Sequence, residues 1–200
     1  MPDFTLERCT GGIVAGIDEA GRGPWAGPVV AGAAILDPDA LPNGVADRLD
    51  DSKKLSRKVR SSLFEALTAN AQLGVGIASV EEIDKHNILA ATMLAMQRAV
   101  SDLPMAPDHA LVDGNRAPDL SCSVRTVIRG DGLSLSIAAA SIIAKVTRDR
   151  MMESLALEHP GYGWERNAGY GTKAHQDGLE RFGVTVHHRR SFKPIAAYLK

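Results

Sequence analysis

Four acidic side chains stand where they could form one divalent metal site. Asp18 and Glu19 end the apolar run IVAGI, Asp113 follows HALV, and Asp131 follows SVRTVIRG. Carboxylates that follow buried strands stand where a sheet meets solvent, and neighbouring strands bring such groups together. Four acids gathered in this way repel one another unless cations neutralise them. Oxygen ligands without His or Cys favour Mg²⁺ or Mn²⁺ over zinc.

The first pair of acids sets a condition on the backbone. Successive side chains of a regular strand point to opposite faces, so Asp18 and Glu19 reach one site only if the strand ends or twists between them. The following segment AGRGPWAGP contains Gly21, Gly23 and Gly27, which permit such a departure and leave backbone N–H groups open to a ligand.

Each acid also has a structural explanation. An Asp after a strand is commonly a turn residue, and Asp131, three residues before Ser134, could cap the next helix. Taken together, and flanked by glycines, the four acids favour the metal site.

Other polar clusters have simpler interpretations. We interpret residues 50–51 as a solvated loop, residues 148–150 (RDR) as a salt-bridged helix face, and residues 187–188 (HH) as solvated surface. Cys9 and Cys122 have no neighbouring base, which argues against a thiol nucleophile.

The apolar pattern predicts an α/β fold with a mixed sheet flanked by helices. Ser56 and the capping-box pair Ser79 and Glu82 should begin helices. The small and apolar segment 134–146 should form a helix buried on most sides, lying close to the sheet. Strands are predicted at residues 13–18, 28–36, 73–78, 109–113 and 123–128, and further helices near 173–181 and 194–200.

Composition narrows the class of protein. The chain has 200 residues, 44% of them hydrophobic, and a net charge of −1, so the overall charge indicates neither a polyanion nor a membrane as partner. The last 56 residues carry a net +4 and the first 144 a net −5, which hints at an anion-facing C-terminal region. Without a disulfide pattern or an apolar leader, we expect a cytoplasmic protein. GxGxxG and P-loop motifs are absent from the sequence.

Several motifs, spread in order from residue 16 to residue 194, resemble those of bacterial ribonuclease HII, the type 2 ribonuclease H. They are GIDEAGRGPWAGPVVAGAAIL, DSKKLS, VDGN, GDGLSLSIAAASIIAKVTRDR, NAGYGT with a following His, and HRRSFKP. The resemblance implies a single ribonuclease H-like domain over residues 1–200, with residues from about 160 to 200 as a helical C-terminal extension. It also implies a monomer.

The same resemblance implies an endonuclease that cuts the RNA strand of RNA–DNA hybrids and the 5′ side of a single ribonucleotide in duplex DNA. Asp18, Glu19, Asp113 and Asp131 match the family's acidic positions, Gly21, Arg22 and Gly23 its Gly-Arg-Gly, and Tyr170 its substrate-sensing tyrosine. One departure is visible, because Ala168 replaces the usual Lys of NKGYGT and removes a possible phosphate contact.

Two Mg²⁺ or Mn²⁺ ions about 4 Å apart would then activate water and stabilise the leaving 3′-oxygen, giving 5′-phosphate and 3′-hydroxyl ends. Backbone groups of residues 21–23 would read the 2′-hydroxyl. Candidate phosphate contacts are Lys53, Lys54, Arg166, Lys173, Arg189, Arg190 and Lys193. Two alternatives stay open: a metal-dependent nuclease of the same fold that acts on DNA alone, and a non-catalytic nucleic-acid-binding module.

Overall fold

The computed structural model describes residues 1–199. A five-stranded sheet has the order β3-β2-β1-β4-β5. Its two halves differ in direction, because β1 and β3 pair antiparallel with β2, whereas β4 pairs parallel with both β1 and β5. The predicted mixed sheet is therefore confirmed. The strands are β1 (Val14–Ala20), β2 (Val29–Ile35), β3 (Gln72–Ala78), β4 (His109–Asp113) and β5 (Ser123–Val127).

The helices are α1 (Thr5–Thr10), α2 (Arg57–Asn70), α3 (Val80–Ser101), α4 (Leu135–Glu158), α5 (Trp164–Asn167), α6 (Lys173–Phe182) and α7 (Lys193–Ala196), with 3₁₀ turns at Ala46–Arg48 and Gly130–Gly132. Helices α2 and α3 begin where the sequence predicts, whereas α1 and α5 were not predicted. The Ser56 side chain accepts a hydrogen bond from the Val59 N–H, and Ser79 and Glu82 form a reciprocal capping box.

Helix α4 ends at Glu158, just before Pro160 and Gly161, where the sequence predicts its end, and amphipathic turns follow its buried first half. One helix differs in length from the prediction. The last helix, predicted over 194–200, ends at Ala196; residue 200 lies outside the described residues.

Small residues let α4 lie directly on the sheet, as the sequence predicts. A Cβ on Gly16 of β1 would lie 2.1 Å from the Ser136 carbonyl carbon, and one on Gly32 of β2 would lie 2.4 Å from the Ala140 oxygen. Such distances are far inside van der Waals contact, so only glycine fits. On the opposite face, Ala15 and Ile17 of β1 pack into the core that includes the buried residues of α3. The two faces of β1 thus alternate between α3 and α4.

The C-terminal residues build a separate small core. Tyr162, Trp164 and Leu179 pack with Ile195 and with Met152 of α4. The predicted helical character of residues from about 160 onward is visible as α5, α6 and α7, while the assignment of the whole chain to one domain stays a prediction. Within the described residues, no helix combines the length and apolar character that a bilayer crossing requires.

Candidate active site

Sheet topology brings three of the four predicted acids to one edge. Parallel pairing aligns Ile17 of β1 with Val112 of β4, so the next residues, Asp18 and Asp113, lie at the same level on adjacent strands. Glu19 follows on β1, which pairs with β2 as far as Ala20. The strand therefore does not end between Asp18 and Glu19, and that half of the predicted condition is wrong.

The fourth acid, Asp131, reaches the same edge from a 3₁₀ turn rather than from the end of a strand. β5 ends at Val127, and Asp131 lies in the turn Gly130–Gly132 that precedes α4. The Gly130 N–H donates a 2.6 Å hydrogen bond to Oδ1 of Asp113, which fixes this turn against the end of β4. Arg129, just before the turn, has left-handed backbone angles (φ 56°), a strained conformation of the kind that clusters at functional sites.

The alternative role of Asp131 as a helix cap is wrong. Ser134 caps α4 by accepting a hydrogen bond from the Ile137 N–H. The Glu7 carboxylate accepts hydrogen bonds from the Ser134 hydroxyl and from the Ser136 N–H, so a residue of α1 completes the cap. The Asp131 side chain therefore has no part in capping the start of α4.

Among the four acids, the charge of Asp113 acts on each of the other three. Burial raises the pKa of Asp18 well above its ordinary value, and the charges of Glu19 and Asp113 raise it further. Burial also raises the pKa of Glu19, against the opposing effect of Arg22, whose Nη1 lies 3.2 Å from Oε1 of Glu19. Burial and then Asp113 raise the pKa of Asp131. Crowded carboxylates of this kind favour a bound cation.

The donor set fits Mg²⁺ or Mn²⁺. All four groups offer hard carboxylate oxygens, and Lys53 is the cation whose charge acts on Glu19 and Asp131. The acids surround a cleft rather than one point: in residues 1–199, no three of them hold oxygens all within 4.8 Å of one another. The group that meets this spacing lies elsewhere, at Glu158, His159 and His187.

Two clefts meet at these acids. One, of about 410 Å³, is lined by Glu19, residues 21–23, Lys53 and Tyr170, among others. The other, of about 630 Å³, is lined by Asp113, Asp131, Lys53 and Lys54, among others. Lys53 lines both, so the two clefts adjoin at this lysine. Together their walls include three of the predicted acids, the Gly-Arg-Gly loop, both lysines and Tyr170, and the buried Asp18 precedes Glu19 on β1.

The Gly-Arg-Gly loop and Tyr170 are in contact distance. A Cβ on Gly23 would lie 3.3 Å from Cε1 of Tyr170, whose side chain is half exposed. Gly21 has a φ of +99°, and a Cβ there would lie 2.0 Å from Nε of Arg148. Position 21 therefore requires glycine for two reasons: its φ is unfavourable for other residues, and a Cβ there would clash with the Arg148 side chain.

The position of Arg148 differs from the prediction. Residues 148–150 were expected to form a salt-bridged helix face, but Arg148 is buried and donates hydrogen bonds to the carbonyl oxygens of Ala26, Pro28 and Ala168. Burial lowers its pKa to about 10. Only Asp149 fits the expectation, through its ion pair with Lys145.

Arg189 corrects a second expectation. It was a candidate phosphate contact, yet its side chain is fully buried and donates hydrogen bonds to the carbonyl oxygens of Gly21, Arg22, Gly27 and Pro28. Burial lowers its pKa to about 9. It therefore supports the Gly-Arg-Gly loop from below and is not available to a ligand. The other candidates, Lys53, Lys54, Arg166, Lys173, Arg190 and Lys193, are exposed.

His188 was expected on the surface but is fully buried. Its Nδ1 accepts a hydrogen bond from the Thr185 N–H, which assigns the proton to Nε2. That Nε2–H donates to Nε2 of His175 over 3.0 Å, and the Nδ1–H of His175 donates to the Tyr170 carbonyl oxygen over 3.0 Å. Two neutral histidines thus hold the backbone of Tyr170, a role that no spacing in the sequence indicated.

Comparisons with known proteins place the chain in a family. A family model described as Ribonuclease HII matches residues 15–195. Ribonuclease HII of Paramagnetospirillum magneticum is 63% identical over 199 residues, covering 100% of this chain and 99% of that protein.

Solved structures agree. The ribonuclease H2 of Pyrococcus horikoshii OT3 superimposes with a TM-score of 0.78 at 28% identity, covering 92% of this chain and 96% of that one. Bst-RNase HIII in complex with Mn²⁺ shares the fold, with a TM-score of 0.77 at 20% identity over 100% of this chain and 73% of that one. The predicted ribonuclease H-like fold is confirmed, and the chain belongs to the ribonuclease HII family of nucleases.

Proposed function

We propose that this protein is a divalent-metal-dependent endoribonuclease that hydrolyses the RNA strand of RNA–DNA hybrids and cuts on the 5′ side of a single ribonucleotide embedded in duplex DNA. Membership of the ribonuclease HII family supports the hybrid activity. The observation that carries the proposal is the meeting of Asp18, Glu19, Asp113 and Asp131 at one edge of the sheet, beside a glycine loop and an exposed tyrosine.

Asp18, Glu19, Asp113 and Asp131 are the residues that would hold Mg²⁺ or Mn²⁺. A pair of such ions supplies Lewis-acid chemistry, namely a nucleophile at neutral pH and stabilisation of charge on the scissile phosphate and the leaving 3′-oxygen. The expected products have 5′-phosphate and 3′-hydroxyl ends.

The protein's own contribution is a rigid frame for these carboxylates. Asp18 accepts a 2.7 Å hydrogen bond from the Glu19 N–H, and Asp113 accepts one from the Gly130 N–H. Each carboxylate therefore keeps one oxygen bound to backbone, which limits its rotation. Rigid ligands reduce the reorganisation that the reaction would otherwise require.

Selection of a ribonucleotide requires a group that senses its 2′-hydroxyl. Residues 21–23 present backbone beside Glu19 with little side-chain bulk at the two glycines, so a sugar can approach closely. Tyr170, in contact distance of Gly23, can stack on the adjoining nucleotide and hold the RNA–DNA junction in register.

Basic side chains around the cleft would contact the phosphate backbone. Lys53 lines both clefts, and Lys54 lines the one with Asp113 and Asp131. Such contacts make binding weaken steeply with salt. Ala168 offers no cation here, but its carbonyl oxygen accepts a hydrogen bond from Arg148. We therefore expect Ala168 to alter local phosphate affinity and not the hydrolysis.

The test uses three duplexes of one sequence: all DNA, DNA with one ribonucleotide, and an RNA–DNA hybrid. Each is incubated with the protein, with a chelator or with Mn²⁺ or Mg²⁺, and the ends are mapped. The proposal expects divalent-dependent cuts in the hybrid and a cut 5′ of the lone ribonucleotide. Comparable cutting of all-DNA duplex would support the DNA nuclease instead. Hybrid binding without any cutting would support the non-catalytic module.

Two further expectations stay proposals. The protein should act as a monomer in the cytoplasm, without a membrane partner. Its two cysteines, Cys9 and Cys122, are both free thiols, which agrees with a reducing compartment. Sedimentation of the purified protein would test the oligomeric state.

A further inference from the structure

A second cluster of metal-ligating side chains lies outside the acidic cleft. Glu158 is the last residue of α4, His159 follows it, and His187 belongs to the segment between α6 and α7. One ligand atom from each residue lies within 4.8 Å of the other two. Within residues 1–199, this is the one group of three His, Cys, Asp or Glu residues with such spacing. The proposed nuclease activity uses none of these residues.

The donor set differs in kind from the acidic cleft. Two imidazoles and one carboxylate suit Zn²⁺ and similar transition metals, whereas the four carboxylates suit Mg²⁺ or Mn²⁺. Tetrahedral zinc with bonds of about 2.0–2.1 Å places its ligands about 3.3 Å apart, so each pair would need to close by at most about 1.5 Å.

The surroundings also favour a cation. The cluster lies at the C-terminal end of the 24-residue helix α4, where the helix dipole is negative. The negative charges of Glu158 and of Glu81, in the first turn of α3, both act on His187. Glu158 is exposed and both histidines are partly exposed, so an ion can enter from solvent.

We propose that Glu158, His159 and His187 form a binding site for Zn²⁺ or a similar transition-metal ion, with water or Glu81 completing the coordination. A bound ion would join the end of α4 to the segment that contains His188 and Arg189. The His187 carbonyl oxygen accepts a hydrogen bond from the Gly27 N–H, so the ion would also fasten the chain that follows the Gly-Arg-Gly loop. Its role is structural, and it does not depend on the nuclease activity.

The alternative is that the two histidines serve only to pack. Their rings lie 4.9 Å apart, and both approach Trp164, with ring centroids 6.1 and 6.4 Å away. Aromatic packing of this kind stabilises the C-terminal core without any ion. The two explanations differ in a single respect, the binding of metal by the purified protein.

The test titrates ZnCl₂ into the chelator-treated full-length protein by calorimetry. Because the acidic cleft could also take up zinc, the titration is repeated in an Asp113→Asn background, where the proposed zinc site is intact. We expect one zinc equivalent to bind with unchanged affinity in that background. His159→Ala, His187→Ala and Glu158→Gln should each weaken this binding at least tenfold. His86→Ala, an exposed histidine on α3, is the matched control and should bind as wild type does.

Two readouts keep the result independent of folding. Glu158→Gln changes an exposed side chain, so its loss of zinc binding cannot be attributed to a damaged core. Co²⁺ should give the visible absorption of a four- or five-coordinate ion in the Asp113→Asn protein and lose it in Glu158→Gln. Equal zinc affinity in the Glu158, His159 and His187 variants, or absence of binding in the Asp113→Asn background, would overturn the proposal.

Discussion

The molecule buries charge in two neighbouring regions, and it does so in opposite ways. At the sheet edge, carboxylates crowd together, and burial with mutual repulsion raises the pKa of Asp18. Beneath the Gly-Arg-Gly loop, Arg148 and Arg189 are buried as deeply, but seven hydrogen bonds to backbone carbonyl oxygens surround their guanidinium groups. In this second region, the dipoles of backbone carbonyl groups offset the positive charges of the two arginines.

This difference indicates which buried charges serve the proposed function and which support the fold. A charge cluster that the protein leaves unbalanced destabilises the folded state unless a ligand completes it, whereas a balanced one holds the backbone in place. The acidic edge therefore belongs to the proposed metal chemistry, and the arginines belong to the frame that positions the loop. Each of the following predictions changes one side of this comparison.

The largest effect is expected at the acidic edge. Asp113→Asn should lower the cleavage rate by about 10³-fold or more, equivalent to about 4 kcal/mol of barrier, because the proposed metal site loses a carboxylate. Duplex binding in a gel-shift assay should be retained. Asp119→Asn, on the exposed connection between β4 and β5, is the matched control. Wild-type rates in Asp113→Asn would remove this residue from the site.

The next effect concerns the arginine frame. Arg189→Met should lower the free energy of unfolding by about 3 kcal/mol, since it leaves several buried carbonyl oxygens without donors. Arg189→Lys should recover only part of this, because an ammonium lacks the planar fork of donors. Urea unfolding measures both. Arg190→Met, at the exposed neighbouring position, should change little; equal losses at 189 and 190 would contradict the assignment.

The third effect is a pH dependence of opposite sign at Asp18 and at the buried His188, which precedes Arg189 in the chain. Burial lowers the pKa of His188 to about 3. Between about pH 6.5 and that value the unfolded chain binds a proton that the folded chain does not, so stability falls as pH falls. The loss from pH 7 to pH 5 should be about 2 kcal/mol for His188.

Asp18 responds in the other direction, because its raised pKa destabilises the fold at neutral pH and acid relieves this. Urea unfolding at pH 7 and pH 5 compares wild type with His188→Gln, which should lose less stability on acidification. An identical pH dependence in the two proteins would show that His188 is not held neutral by the fold.

The smallest effect is expected at Tyr170, which lines the same cleft as Glu19 of the acidic edge and the buried Arg148. Tyr170→Ala should slow cutting at a lone ribonucleotide by about tenfold, the value of one stacking contact, and slow cutting of long hybrids less. Tyr170→Phe keeps the ring and should stay near wild type. Because Tyr170 is half exposed, stability should change little. Equal losses on the two substrates would assign the tyrosine a structural role.

Most of the fold was predictable because it depends on local patterns. The apolar runs of β1 and β2, the Ser79 and Glu82 capping box and the small residues of α4 each indicate their structure within a few residues. The acids could be predicted as a group because each lies at or just beyond the end of an apolar run of the sequence. Their mutual approach depends on the pairing of β1 with β4 and of β4 with β5, and on the turn at Gly130–Gly132 that carries Asp131.

The buried cations could not be predicted in the same way. Arg189 binds the carbonyl oxygen of Gly21, a residue 168 positions away, and a carbonyl acceptor has no signature in the side-chain sequence. His188 likewise depends on His175 and on a loop conformation at Thr185. Burial of a charged or polar side chain by backbone partners is a property of the tertiary structure, so the sequence makes such residues look like surface.

The most direct test of the central claim is the thermal unfolding of wild type and Asp18→Asn, each in chelator and in Mn²⁺. If the acidic edge is unbalanced until a cation binds, Asp18→Asn should unfold at a higher temperature than wild type in chelator. Mn²⁺ should then stabilise wild type and leave the variant nearly unchanged. A variant that is less stable than wild type in chelator, or that gains as much from Mn²⁺, would contradict the account.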